Sequence, residues 1–132
     1  MQPQPLEILL QDGREIRDYL GEAISNLELA IEAEHKARRQ AKEASQFYQD
    51  AEAEFLMDLA IDGKNAEERK RQMDAALVKA RNYNGLARPW AQKNAAAYNA
   101  EDAAMALEQA SKRFSATRAA AELTAAMLNA AR

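Results

Sequence analysis

The chain has 132 residues, a formal net charge of −3 and no cysteine, which leaves room for one domain and excludes disulfides, thiolate metal sites and thiol catalysis. Its 31 alanines against 8 aromatics make any core thin, because alanine contributes little surface at roughly 25 cal/mol per Å² buried. Four glycines and three prolines interrupt a composition dominated by helix formers, which is the composition of long helices or coiled coils.

The N-terminus, Met1-Gln-Pro-Gln-Pro5, lacks the basic start of a signal peptide. The apolar run Leu6–Leu10 is too short for a signal core or a membrane span. A soluble, cytoplasmic protein that does not enter a membrane is expected. Residues 1–13 read as a flexible or short N-terminal segment, with residues 14–132 forming a single helical domain. Two prolines in five positions predict an extended or disordered start. The piece 6–10 is either a helical turn capped by Gly13 or half of a β-hairpin turning at Asp12-Gly13; the helix is preferred because everything downstream is helical.

From Arg14 the pattern is regular. Alternate steps of four and three residues give Ile16, Leu20, Ala23, Leu27, Ala30, Glu34, Ala37, Ala41, Ala44, Tyr48, Ala51 and Phe55, which is the a/d seam of a coiled-coil-like helix. This helix should run to about Ile61. Gly63 suits a left-handed helix cap, and Asn65 can cap the next helix together with Glu68. Such a short connection predicts a long antiparallel helical hairpin, all-α in class.

The second arm has a seam of Ala66, Arg69, Met73, Ala76, Ala80, Tyr83, Ala87 and Trp90. It resumes one residue out of step as Ala96, Ala100, Ala103, Leu107, Ala110, Phe114, Thr117, Ala121, Thr124 and Leu128. The slip follows Asn84-Gly85-Leu86-Ala87-Arg88-Pro89, so the arm is kinked or broken near Gly85–Pro89. A kink gives a bent hairpin, the preferred reading, and a break gives a three-helix arrangement.

Chemistry is sparse. The only histidine, His35, sits three residues after Glu32, which is half of a di-iron carboxylate pattern. No second histidine completes it, and a solvated helix face explains the pair; no metal site is predicted. The glycines at 13, 21, 63 and 85 are isolated, so no phosphate-cradling loop exists, and the serines lack an ordered histidine and acid. No catalytic residue, cofactor or small-molecule substrate is expected, and the chain reads as a non-enzyme.

Charge is unevenly distributed. The run His35–Lys42 carries Lys36, Arg38, Arg39 and Lys42 without an acid, and Lys79–Lys93 carries Lys79, Arg81, Arg88 and Lys93, again without one. A reversal at Gly63 would set Arg38 at the level of Arg88. Arg38, Arg39, Lys42, Arg81, Arg88 and Lys93, with Trp90 among them, would then form one candidate surface for single-stranded nucleic acid or for a protein partner. The alternative is that Tyr83 and Trp90 fill the bundle while the cations line its rim. Residues 7–34 carry eight acids against Arg14 and Arg17, read as a solvated face or as a surface for a basic neighbour.

The stretch Asp62-Gly-Lys-Asn-Ala-Glu-Glu-Arg-Lys70, set between two long Ala/Glu-rich helices, resembles a motif of small α-helical phage and prophage proteins. The likeness extends over residues 20–130 in architecture and is specific around 62–71. Those proteins are largely without assigned activity and are often encoded in recombination and replication gene clusters. The resemblance implies a phage-encoded accessory that acts by binding, and it carries over no catalytic residue.

Three functional readings follow from sequence. The first is a non-catalytic interaction or scaffold protein that forms a homo-oligomer and engages a protein partner. The second is a nucleic-acid-binding accessory in recombination or replication. The third is an inhibitor of a host defence protein, with the acidic residues 7–34 as its surface.

Overall fold

A computed structural model describes residues 5–83 and 85–131, with side chains from residue 10 onward in the first helix. The described residues form three helices: α1 (Pro5–Met57), α2 (Ala66–Tyr83) and α3 (Ala87–Ala131). Helix α1 packs against α3 as a helical hairpin whose second arm is broken. Contacts divide the chain into two compact units. One pairs α1 up to His35 with α3 from Asp102 onward; the other comprises Lys36–Glu101.

Helix α1 passes through Asp12 and Gly13 without stopping, so neither a cap nor a hairpin turn forms there. Gly13 lies instead against α3, where a Cβ would meet Leu128 Cδ1 at 3.5 Å and Thr124 Cγ2 at 3.8 Å. Burying the seam against α3 outweighs the small helix penalty of one glycine. The expected start at residues 1–4 lies outside the described residues. All twelve predicted seam positions from Ile16 to Phe55 are buried or half-buried, whereas most of their neighbours are exposed.

At its other end α1 stops at Met57, four residues before Ile61, and residues 59–63 run without regular structure. Gly63 is not in the left-handed region, contrary to expectation. Its role is close approach: a Cβ at Gly63 would stand 2.8 Å from the Arg69 backbone nitrogen and 2.9 Å from Arg69 Cγ. The cap of α2 forms as its sequence requires. The Glu68 N–H donates to Asn65 Oδ1 at 2.8 Å, while Glu68 Oε2 accepts from the Lys64 N–H at 3.3 Å.

The interruption of the second arm is a full break. Helix α2 ends at Tyr83 and α3 begins at Ala87, with the Trp90 N–H donating to the Leu86 carbonyl at 2.9 Å as the first helical bond. Pro89 falls in the first turn of α3, where a missing N–H leaves no intrahelical bond unmade. It therefore starts α3 rather than kinking a continuous helix. In α2 the seam also shifts: Ala66, Arg69 and Tyr83 are exposed, and Leu77 joins Ala80 in the interior. In α3 the predicted positions from Ala96 to Leu128 are all half-buried.

Burial is shallow. Among the described residues only Ala23, Tyr48, Leu77, Ala80 and Leu86 make up the buried apolar core, and Pro89 and Glu34 are also buried. Four of them, Tyr48, Leu77, Ala80 and Leu86, form a single cluster in the unit Lys36–Glu101.

Two glycine substitutions should move stability in opposite directions. Gly63→Ala should cost about 1–3 kcal/mol, since its methyl must displace the Arg69 backbone. Gly21→Ala, where nothing lies within 4 Å of the added Cβ, should gain about 0.5–1 kcal/mol from helix propensity. Urea denaturation followed by circular dichroism at 222 nm measures both.

Candidate functional site

The buried apolar cluster of the described residues lies where the three helices meet. Tyr48, a seam residue of α1, is 2% exposed and packs with Leu77, Ala80 and Leu86, while Ala51, Phe55, Leu56 and Trp90 close the cluster. The Tyr48 and Trp90 rings stand 5.1 Å apart, tilted at 54°. This is the tilted edge-to-face range in which aromatic pairs attract beyond their area.

Two cations flank the pair. The Arg81 guanidinium lies 4.5 Å from the Trp90 ring centre, and Lys93 Nζ lies 5.0 Å from that of Tyr48 and 5.1 Å from that of Trp90. Each such contact is worth about 0.5–2 kcal/mol, more as water is excluded. Arg81 Nε also donates to Tyr48 Oη at 2.5 Å, and Arg81 Nη2 donates to Glu52 Oε2 at 3.4 Å. One guanidinium from α2 thereby engages a hydroxyl and a carboxylate of α1 and a ring of α3.

Burial pushes the Tyr48 hydroxyl above its ordinary value. The Arg81 bond works in the opposite direction, and the Glu52 carboxylate adds to the rise. The bond to Tyr48 is the main reason that Arg81 is held even more firmly in its charged form.

The candidate residues therefore separate. Arg81, Trp90 and Lys93 come together on Tyr48, and their contacts are internal. Arg38, Arg39, Lys42 and Arg88 are exposed, but Arg38 and Arg88 do not share a level. Helix α3 faces α1 with Tyr48 opposite Trp90, and Ala44 lines one groove with Ala96. Arg88 thus lies near residue 50 of α1, roughly 12 residues or about 18 Å along the helix from Arg38. The cause is the return path. Beyond the cluster α1 continues only from Tyr48 to Met57, whereas the chain comes back through the turn, 18 residues of α2 and the break.

Tyr48 and Glu52 complete this assembly and were not singled out from sequence as site residues. The available signal was Tyr48 as the first aromatic on the seam after its alanines at 37, 41 and 44, with an acid four residues later on the same face. Leu86 carried no such signal, because its burial depends on the break.

Elsewhere, His35 Nε2 stands 3.9 Å from the buried Glu34 carboxylate. Among the described residues no three histidine, aspartate or glutamate side chains gather where they could hold a metal ion, and no helix is long and apolar enough to cross a membrane. The concave features are open grooves. One, of about 490 Å³, lies between α1 and α3 and is lined by Leu10, Leu20, Ala121 and Leu128. A second groove, lined by Gln40, Glu43, Ala44, Phe47, Gln92 and Ala96, flanks the cluster. Neither contains a convergent set of polar groups with shifted pKa values. No protein-family model, curated protein or solved structure matches the chain.

Trp90→Ala should destabilise the protein by about 3–5 kcal/mol, since it removes the ring against which both cations and Tyr48 pack. Because the raised Tyr48 value favours the neutral phenol in the folded state, its stabilisation is complete below about pH 10 and is lost as pH rises through the folded-state value. Tyr48→Phe should flatten that alkaline loss while lowering stability at neutral pH by about 1.5–3 kcal/mol, the worth of a hydrogen bond to a charged group. Denaturant titrations at several pH values, read by circular dichroism at 222 nm, test both variants.

Proposed function

We propose that this chain is a non-catalytic helical interaction protein that works by associating with itself and with a protein partner. The observation that carries this reading is the amount of surface left open. A compact monomer of 14.7 kDa exposes about 6,900 Å², whereas this chain exposes 10216 Å². The seam residues Ile16, Leu20, Leu27, Leu107, Phe114 and Leu128 are each only half-buried. Large apolar side chains such as Leu29, Phe47, Met105 and Leu123 are exposed as well. Two packed helices bury one strip each, and an alanine-rich strip is a weak source of stability. A further helical surface from another chain supplies what the single chain lacks.

The likeness of Asp62–Lys70 to small phage and prophage proteins fits an accessory of this kind, acting in the host cytoplasm without turning over a substrate. The motif also has a mechanical meaning in this chain, since it contains the Asn65–Glu68 cap and the close approach of Gly63 to Arg69. It builds the turn that makes the hairpin. Light scattering on the chromatographed protein should return a multiple of 14.7 kDa at micromolar concentration. A monomer mass persisting at several hundred micromolar would remove the association reading.

A second reading, single-stranded nucleic-acid binding, is favoured by the exposure of Arg38, Arg39 and Lys42 in a stretch without an acid. It involves a smaller surface than sequence implied, because Arg81 and Lys93 already lie on Tyr48 and Trp90. Replacing Arg39 and Lys42 with Ala should weaken binding to labelled single-stranded DNA at low salt and leave the stability within about 0.5 kcal/mol of wild type. Absence of binding by the wild-type chain at low salt would eliminate this reading.

A further inference from the structure

Two backbone steps of this chain are chemically matched, and the fold treats them differently. We propose that Asp62, in the turn before α2, is a site of spontaneous covalent modification. Its side-chain carboxyl cyclises with the backbone nitrogen of Gly63 and reopens as isoaspartate, whereas Asp12, set in the same kind of sequence, is protected. The modified turn presents the carboxylate that isoaspartyl methyltransferases recognise.

Water is released and taken up again in this reaction. The Gly63 nitrogen forms a bond to Asp62 Cγ and gives up its proton, and a carboxyl oxygen leaves as water, closing a five-membered succinimide. Water then opens the ring. Attack at the former main-chain carbonyl breaks the original peptide bond to Gly63 and frees that carbonyl as a carboxylate. The main chain now runs through Cγ and is one methylene longer, with composition and charge unchanged. Ring closure requires a following residue without a Cβ to crowd the nitrogen. It also requires an N–H not held in a hydrogen bond and a backbone that can turn the nitrogen toward Cγ.

The pair occurs twice, as Gln11-Asp12-Gly13-Arg14 and as Ile61-Asp62-Gly63-Lys64. Each aspartate is followed by glycine and then by a basic residue, so local sequence gives the two similar intrinsic reactivity. Asp12 and Gly13 lie inside α1, where the helix ties the Gly13 N–H to the carbonyl four residues earlier and fixes the backbone dihedrals. Asp62 is exposed in the irregular segment 59–63, and the Gly63 N–H donates to no backbone carbonyl among the described residues. Asp58, the other aspartate outside a helix, is followed by Leu59, whose Cβ crowds the nitrogen and whose N–H donates to the Leu56 carbonyl at 3.3 Å. Packing demands the glycine at 63, since a Cβ there would stand 2.8 Å from the Arg69 nitrogen. The fold therefore keeps beside Asp62 the one residue type that leaves it open to cyclisation. An added methylene at this point displaces Gly63 from Arg69 and disturbs the bond from the Lys64 N–H to Glu68 Oε2.

The test incubates the full-length chain for weeks at mildly acidic pH, once folded and once in concentrated urea, and follows it by tryptic mapping. Trypsin places the two pairs in separate peptides, Met1–Arg14 and Glu43–Lys64. From the folded chain, Glu43–Lys64 should gain a second chromatographic form of unchanged mass that accepts a labelled methyl group from S-adenosylmethionine through an isoaspartyl methyltransferase. Met1–Arg14 should convert about tenfold more slowly or less, because opening α1 must come first. In urea the two peptides should convert at similar rates. Asp62→Glu, whose side chain is too long to close the five-membered ring, should lose the second form. Asn84, which precedes Gly85, lies outside the described residues and is followed separately in Asn82–Lys93, where exchange of ammonia for water raises the mass. Two results overturn the assignment: a folded chain whose Glu43–Lys64 stays single while the chain in urea converts, or a folded chain whose Met1–Arg14 converts as fast as Glu43–Lys64.

Discussion

The contact between Tyr48 and Trp90, with Arg81 and Lys93 set against their rings, is the constraint on which the Lys36–Glu101 unit depends. Alanine-rich helices have little apolar area to bury, so most of their length provides only weak preference for one neighbour over another. Two aromatic rings and two engaged cations concentrate that preference at one level of α1. Helix α2 contributes Arg81, Leu77 and Ala80 to the cluster, α3 contributes Trp90 and Lys93, and the break between them contributes Leu86. Each element can satisfy its own part only if the chain changes direction between Tyr83 and Ala87. The break is thus part of the packing.

Arg81 has a particular place in this arrangement. Its fixed fork of donors serves Tyr48 and Glu52 together while its flat face lies over Trp90. A lysine could supply the charge but not the three simultaneous geometries. Desolvation keeps Tyr48 neutral, and the nearby Glu52 carboxylate acts in the same sense. The Tyr48 hydroxyl and the Glu52 carboxylate are therefore both partnered by Arg81, and the cations there are committed to the fold. That commitment bears on function, because a side chain that holds three helices together is poorly placed to follow an external phosphate.

Away from the cluster the physics changes. The unit formed by α1 up to His35 and α3 from Asp102 has a regular seam, yet most of the seam is half-buried. Ala23 and Glu34 are the buried positions there among the described residues. Two helices in contact always leave the sides of their shared strip open to water, and only further helices close them. Regular spacing with incomplete burial is what two alanine-rich helices in contact provide.

Much of the architecture was legible in the sequence, because helix periodicity is local and repeats many times. The seam from Ile16 to Phe55 and its counterpart from Ala96 to Leu128 came directly from spacing, as did the Asn65–Glu68 cap. These features depend on residues within a turn or two of one another. The register between the arms was not legible. A reversal at Gly63 alone would bring Arg38 level with Arg88, but the extended segment before α2 and the break before α3 shift the pairing until Tyr48 meets Trp90. Gly63 illustrates the same limit: its presence in the turn was evident, whereas its reason, the backbone of Arg69 pressing close, exists only once α2 has packed. Local propensity and periodicity settled which residues are helical and which face is apolar. Packing of the few large side chains decided which faces meet and at what level, because the energy of an aromatic contact depends on distances across the chain that alanine spacing does not encode.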